Sequence, residues 1–385
     1  MEAYLDNSAT TRAFDEVAAV VAKTMTEEYG NPSSVHHLGT ISAERLVGAR
    51  ETIAATLKVD PQEILFTSGG TESDNLALIG VARANKWRGK HIITTSIEHP
   101  AILETTSFLE KEGFEITYLP VKSDGCVDLE DLKNALRKDT ILVSMMLVNN
   151  EIGAVEPVQE AGKLIKSINP DTYFHVDAVQ GYGKILIRPR SMNIDLMSVS
   201  GHKIHGPKGT GFLYINKGTK IVPICYGGGQ QRGMRSGTEN VPGIVGLALA
   251  AKMCYENFDE HIGKLYDLKK YLVAELEKRL DNIKINGPDC EKGAPHIVSL
   301  SIKGLAAETV LNMLSSKGIY VSAGSACTSN NPHISDTLQA IGLDKNLLES
   351  TIRISMSVMT TKEEIDYLLD TLCSQVETMR KFYRH

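Results

Sequence analysis

Between residues 63 and 215, short apolar, β-prone runs alternate with amphipathic helical stretches, and this alternation constrains the fold more than any other feature. The strand-like runs are 63–67, 91–95, 114–118, 141–146, 173–176, 194–199 and 211–215. Helical periodicity fills most of the gaps, over 74–85, 101–111, 129–136 and 158–168. Strands separated by helices must cross over, which predicts an α/β fold with a mostly parallel, seven-stranded sheet covered by helices. Ligands of such sheets gather at the carboxyl ends of the strands. The residues just past each run are therefore the ones that bear on function.

Beyond this region the pattern changes. A helical stretch at 241–280 leads into strands at 283–285, 296–302, 319–321 and 351–357, interspersed with helices at 307–316 and 362–380. This reads as a smaller α+β domain, and 385 residues suffice for two cores. The predicted division is a large domain over 15–260 and a small one formed by 1–14 and 261–385. Near the N-terminus, helices are expected at 15–28 and 42–57, the second capped by Ser42.

A net charge of −6, with no basic block, excludes nucleic acid as an expected partner. No apolar run approaches the roughly 18 residues of a membrane span. The N-terminus lacks a signal-peptide layout, so the expected location is the cytoplasm. Six scattered cysteines without a CxxC pair suggest neither a disulfide framework nor a metal site.

The strand ends carry chemistry-bearing residues. Thr67-Ser68-Gly69-Gly70-Thr71-Glu72-Ser73 opens a helix with backbone N–H groups and hydroxyls, suited to a phosphate, or to simple capping by Thr71 or Ser73. His99 follows one strand, and its imidazole is free either to stack on a planar group or to serve structure. Asn149-Asn150 and Asp177 follow two others; a buried carboxylate such as Asp177 needs a cation or a helix to cap. Ser200-Gly201-His202-Lys203 empties a strand into a glycine-rich turn, where poor solvation makes a lysine nucleophilic. An ordinary basic surface turn is the alternative. No P-loop is present, which disfavours an ATPase. Residues 227–240 are glycine-rich with two arginines, either an anion contact or a surface loop. Cys327 sits in a run of small residues at 322–331, which favours an accessible thiol, whereas burial would make it inert. Arg353, inside an apolar strand, demands a carboxylate or phosphate partner.

Taken together, YLDNSATT, GNPSSVH, TSGGTESDN, EHPA, VNNEIG, HVDAVQ, SGHKIHGPKG, GGGQQRGMRSGT, GSACTS and the Arg353 strand resemble the cysteine desulfurases of the NifS/IscS type. These are pyridoxal-phosphate enzymes of fold type I, and the resemblance covers nearly the whole chain. It implies that Lys203 carries pyridoxal 5'-phosphate covalently, that Asp177 partners the pyridine nitrogen, and that Gln180 meets the phenolic oxygen. His99 would stack on the ring and serve as the proton carrier for the thiols. Gly70, Thr71, Ser200 and His202 would hold the phosphate, and Thr238 would reach the phosphate of a neighbouring subunit, implying a homodimer. Asn150 and Arg353 would hold the substrate carboxylate. Cys327, on a mobile loop at about 322–335, would take sulfur from L-cysteine as a persulfide, leave L-alanine, and pass the sulfur to an acceptor protein. Iron–sulfur cluster assembly and tRNA or cofactor thiolation are the implied routes. Gly201 and His205 depart from many relatives without removing a proposed ligand, and His205 could tune Lys203. The alternatives are a class V aminotransferase, a selenocysteine lyase or a kynureninase on the same scaffold, or a non-catalytic platform for assembly proteins.

Overall fold

The structure, a computed structural model, describes residues 1–323 and 335–382. The chain opens with strand β1 (Ala3–Tyr4) and helices α1 (Asp15–Glu27) and α2 (His37–Leu57). Then come β2 (Ile64–Thr67), α3 (Gly70–Asn85), β3 (His91–Thr95), α4 (Pro100–Lys111), β4 (Glu115–Leu119), α5 (Leu129–Ala135), β5 (Thr140–Met146), α6 (Val158–Ile168), β6 (Tyr173–Asp177), β7 (Leu196–Ser200) and β8 (Gly211–Ile215). Helices α7 (Val241–Glu256) and α8 (Phe258–Arg279) lead to β9 (Ile283–Asn286), β10 (Ile297–Ile302), α9 (Ala307–Ser315), β11 (Ile319–Tyr320) and β12 (Ser322–Ala323). The described chain ends with α10 (Asp336–Ala340), α11 (Lys345–Leu348), β13 (Thr351–Ser355) and α12 (Lys362–Phe382).

Strands β2 to β8 form one seven-stranded sheet in the order β2-β8-β7-β6-β5-β3-β4. The neighbours from β4 to β7 are parallel, while β8 runs antiparallel to both β7 and β2. Lys203 therefore lies in the connection between two antiparallel neighbours. The central strands are buried throughout, which is what helices on both faces demand of an apolar run. A second sheet, β12-β13-β10-β9, is antiparallel and belongs to another core, built from Leu265, Leu272, Leu300, Ile354 and Leu369 together with Ala3 and Leu5. The first residues join it because β1 adds a parallel strand to β11.

Three boundaries differ from those expected. α2 starts at His37, five residues before Ser42, because the His36 ring accepts from Gly39 N at 3.3 Å; Ser42 sits inside the helix, donating to Glu28 O. α3 starts at Gly70, with Gly69 as its cap and no side-chain bond, so neither Thr71 nor Ser73 caps it. The expected helix over 241–280 is two helices, broken at Asn257 (φ −124°, ψ 43°). Helical periodicity continues across that break, and one backbone angle changes its direction.

Candidate active site

Past the carboxyl ends of β2, β3, β5, β6 and β7 the backbone opens into a cavity of about 520 Å³. Among its lining residues are Gly70, Thr71, His99, Asn150, Asp177, Gln180, Ser200, His202, Lys203 and Arg353. All the predicted site residues of the described chain meet there except one. Thr238 is exposed on the loop before α7 and does not line the cavity. That loop is nonetheless tied to the first turn of α3, where Arg235 pairs with Glu72 at 2.7 Å. Cys327 lies outside the described residues.

Each side chain is set by a local device. Lys203 ends a short 3₁₀ turn after β7, and its Nζ donates to the carbonyls of Ser8 at 2.6 Å and Ala9 at 2.8 Å. The N-terminal segment thus forms one wall. His202 meets Thr10 Oγ1 at 3.1 Å through Nδ1. Beneath Ser200, the Gly69-Gly70 turn presses so close that a Cβ on Gly70 would sit 2.6 Å from Val179 Cγ2. Glycine is needed for that approach. The turn delivers the first-turn N–H groups of α3, which have no partner within the helix, to the cavity.

His99 caps α4, its Nδ1 accepting from Ala101 N at 3.1 Å. Nε2 is therefore the protonated nitrogen of the neutral ring, a tautomer assigned from that bond. Burial, then the charge of Lys203, pushes its pKa down to about 4. The ring is therefore neutral at physiological pH. In the cofactor-free protein its ring-proton NMR signals should stay still from about pH 8 to about pH 5. A titration centred near the ordinary 6.5 would mean that the ring is solvated.

Asp177, at the end of β6, is buried and accepts from Val179 N at 2.8 Å. Burial raises its pKa to about 6, against the opposing pull of that N–H and of Lys203. Two further buried carboxyls, Asp74 and Glu98, were not singled out by sequence reasoning. Burial, and next the charge of Asp177, raises both well above the carboxylate range. Burial thus favours the neutral form of each, and of the three carboxyls Asp177 is the one in which the charge of Lys203 opposes that shift. Among the described residues Asp74 Oδ1 and Glu98 Oε2 have no hydrogen-bond partner, and Asp74 lies 3.6 Å from His175, a buried ring between Ser144 and Ser198. Both acids stand within quoted motifs, TESDN and EHPA, but nothing in one sequence reveals that two helix starts converge beneath one strand end.

Gln180 donates to Ser8 O at 2.9 Å and meets His296 at 3.4 Å through Oε1. Arg353 is 2% exposed in the middle of β13, donating to Asn150 O at 2.8 Å and pairing with Asp6 at 3.0 Å. A structural acid therefore answers part of its demand, as the sequence allowed. His205, at φ +63°, stacks on Phe14 and meets Arg12 O at 2.7 Å, so it fastens the N-terminal segment and does not border the cavity. Taken together, the cavity holds an anchored amine, one buried anion, a helix N-terminus with hydroxyls, and a guanidinium opposite.

The chain matches the Aminotransferase class-V family over residues 3–368. It is 46% identical over 379 residues to the cysteine desulfurase IscS of Dictyoglomus turgidum, covering 98% of this chain and 95% of that protein. A solved NifS-like protein superposes with a TM-score of 0.93 at 41% identity, covering 98% of this chain and 100% of that one. SspA in complex with cysteine superposes with a TM-score of 0.80 at 33% identity, covering 93% of this chain and 100% of that one.

Proposed function

We propose the following division of labour for this chain, which belongs to the class V aminotransferase family and is a pyridoxal-phosphate-dependent cysteine desulfurase. The cavity suits that cofactor. The Gly69-Gly70 turn brings the α3 N-terminus to the cavity, as a phosphate requires, and the buried Asp177 carboxyl suits a ring nitrogen that carries a proton. Gly70, Thr71, Ser200 and His202 would hold the phosphate, Asp177 the ring nitrogen, Gln180 the phenolic oxygen, His99 the ring face, and Lys203 the covalent bond. When bound, the cofactor supplies an electron sink that eases removal of the proton next to the substrate carboxylate.

The rest is work for side chains. Arg353 and Asn150 orient the substrate by its carboxylate. Lys203 Nζ would take the proton next to the substrate carboxylate and carry it. His99, neutral with its proton on Nε2, is ready to donate one. The Cys327 thiolate forms a bond to the substrate sulfur as that sulfur's bond to carbon breaks; the carbon left behind takes a proton and leaves as L-alanine. The loop anchors support this role. Ser322 is the register partner of Arg353, and Ser335 bonds to Glu151, the neighbour of Asn150. Five residues from Ser322 to Cys327 reach at most about 17 Å. We further infer a homodimer in which Thr238 serves the partner's phosphate, delivery of sulfur to an iron–sulfur scaffold or a thiolation partner, a cytoplasmic setting, and the large and small domains divided near residue 260.

The observation that carries the reading is the convergence of Lys203, Asp177, His99 and Arg353 on one cavity. Intact-protein mass spectrometry before and after brief exposure to L-cysteine tests it. One extra sulfur on Cys327 is expected. Cofactor retained without that sulfur would make the protein a lyase or transaminase on this scaffold.

A further inference from the structure

The guanidinium of Arg353 has two faces in this fold. Arg353 itself borders the cavity, whereas Asp6 lines a separate surface groove with Tyr4, Leu311 and Tyr320. Asp6 therefore reaches the guanidinium from behind. It takes one hydrogen of Nη2 at 3.0 Å, the Asn150 carbonyl takes one of Nη1 at 2.8 Å, and the buried Nε has no partner among the described residues. Five N–H donors in a planar fork, two of them spent on the described residues, leave the second hydrogens of Nη1 and Nη2 for a ligand. Asp6 cannot drift from this post. Its own carbonyl accepts from Ala9 N at 3.0 Å, and its backbone bridges to Ser355, two residues beyond Arg353. A buried arginine without a substrate also needs a counter-charge, and among the described residues Asp6 is the carboxylate paired with it.

We propose that Asp6 is a positioning residue for substrate recognition: from outside the cavity it aims the Arg353 fork and offsets its charge, and so sets how tightly a substrate carboxylate is held. This rests on the reading that Arg353 binds that carboxylate. Two properties of Asp6 act in opposite directions. Its oxygen aims the fork, which helps binding, and its charge opposes a second anion on the same guanidinium, which weakens it.

The two can be separated by substitution. Asp6→Asn keeps an accepting oxygen and removes the charge, so KM for L-cysteine should fall roughly ten-fold. Asp6→Ala removes both, so KM should rise roughly ten-fold as the fork loses its aim. In both variants kcat should stay within about three-fold, since Asp6 touches no reacting atom. The same holoenzymes are then titrated with L-alanine and with ethylamine as inhibitors. Asp6→Asn should tighten L-alanine about as much as it lowers KM, and leave ethylamine unchanged. KM shifts of the same sign in both variants, or an equal shift for ethylamine, would overturn the proposal. Should Asp6→Ala fail to fold, Asp6→Asn alone decides it through the L-alanine to ethylamine comparison. If wild-type enzyme already binds the two equally, Arg353 does not hold the carboxylate, and the underlying reading fails instead.

Discussion

Lys203→Ala should abolish sulfur release from L-cysteine, with turnover falling by at least about 10⁴-fold as covalent attachment and proton transfer are lost together. The environment of the amine makes the loss hard to rescue. Lys203 is held between the Ser8 and Ala9 carbonyls on a short turn between antiparallel strands. The nearest substitute on the lining, Lys208, lies five residues on and is exposed. Lys203→Arg separates charge from chemistry, because guanidinium can satisfy two carbonyls but does not give up its proton in proteins. That variant should keep its fold and lose turnover to a similar degree. The check is borohydride reduction followed by intact mass. Wild-type protein should carry cofactor fixed at Lys203, and both variants none. An arginine variant within about ten-fold of wild-type turnover would remove Lys203 from the proton transfer.

The second large effect belongs to Asp177. Asp177→Asn is nearly isosteric and can still accept the Val179 N–H, so the fold should survive. What goes is the anion. Removing one partner of a buried charge pair costs about 3–5 kcal/mol, a loss of ~10²–10⁴ in cofactor affinity or turnover. Neither Asp74 nor Glu98 should compensate, since burial favours the neutral form of each. Equilibrium dialysis of the cofactor together with steady-state turnover reads both losses. Unchanged affinity and rate would mean that the ring nitrogen is served by another group. The variant should also relax its two buried neighbours. With the charge of Asp177 gone, one of the forces raising the Asp74 and Glu98 pKa values is removed, although burial, the larger cause, remains.

Much of this was legible in the amino-acid order. The central strands of the main sheet were readable because buried parallel strands are continuous apolar runs, and the site followed because their ends are where backbone groups lie open. What was not legible is of two kinds. Short-range geometry moved the start of α2, since the His36 ring outcompeted Ser42 as a cap. Long-range geometry hid Asp6, Asp74, Glu98 and the two carbonyls that grip Lys203. Asp6 and Arg353 are 347 positions apart, and Ser8 and Lys203 are 195 apart. Such partners have no local period or spacing to betray them. Arg353 is the instructive intermediate: its apolar strand announced that an anion was needed, but not that one was already supplied by the chain's first turn.

The lacing of the N-terminus into the C-terminal sheet also orders events in time. β1 pairs with residues more than 300 positions away, at Ala3–Ile319 and Tyr4–Tyr320, and the Asn7 side chain is tied to Ser355 O. During synthesis Ala3, Tyr4 and Asn7 must therefore wait for residues 319–355 before these pairings can form. Before then the wall carrying the Ser8 and Ala9 carbonyls has its ties to His202 and His205 and lacks those to β11 and Ser355. The main sheet, whose strands all lie between 64 and 215, can assemble well before that. Contacts of such long sequence separation form slowly. A chain emerging from the ribosome can therefore complete the main sheet before residues 319–355, and with them part of the wall over Lys203, are in place.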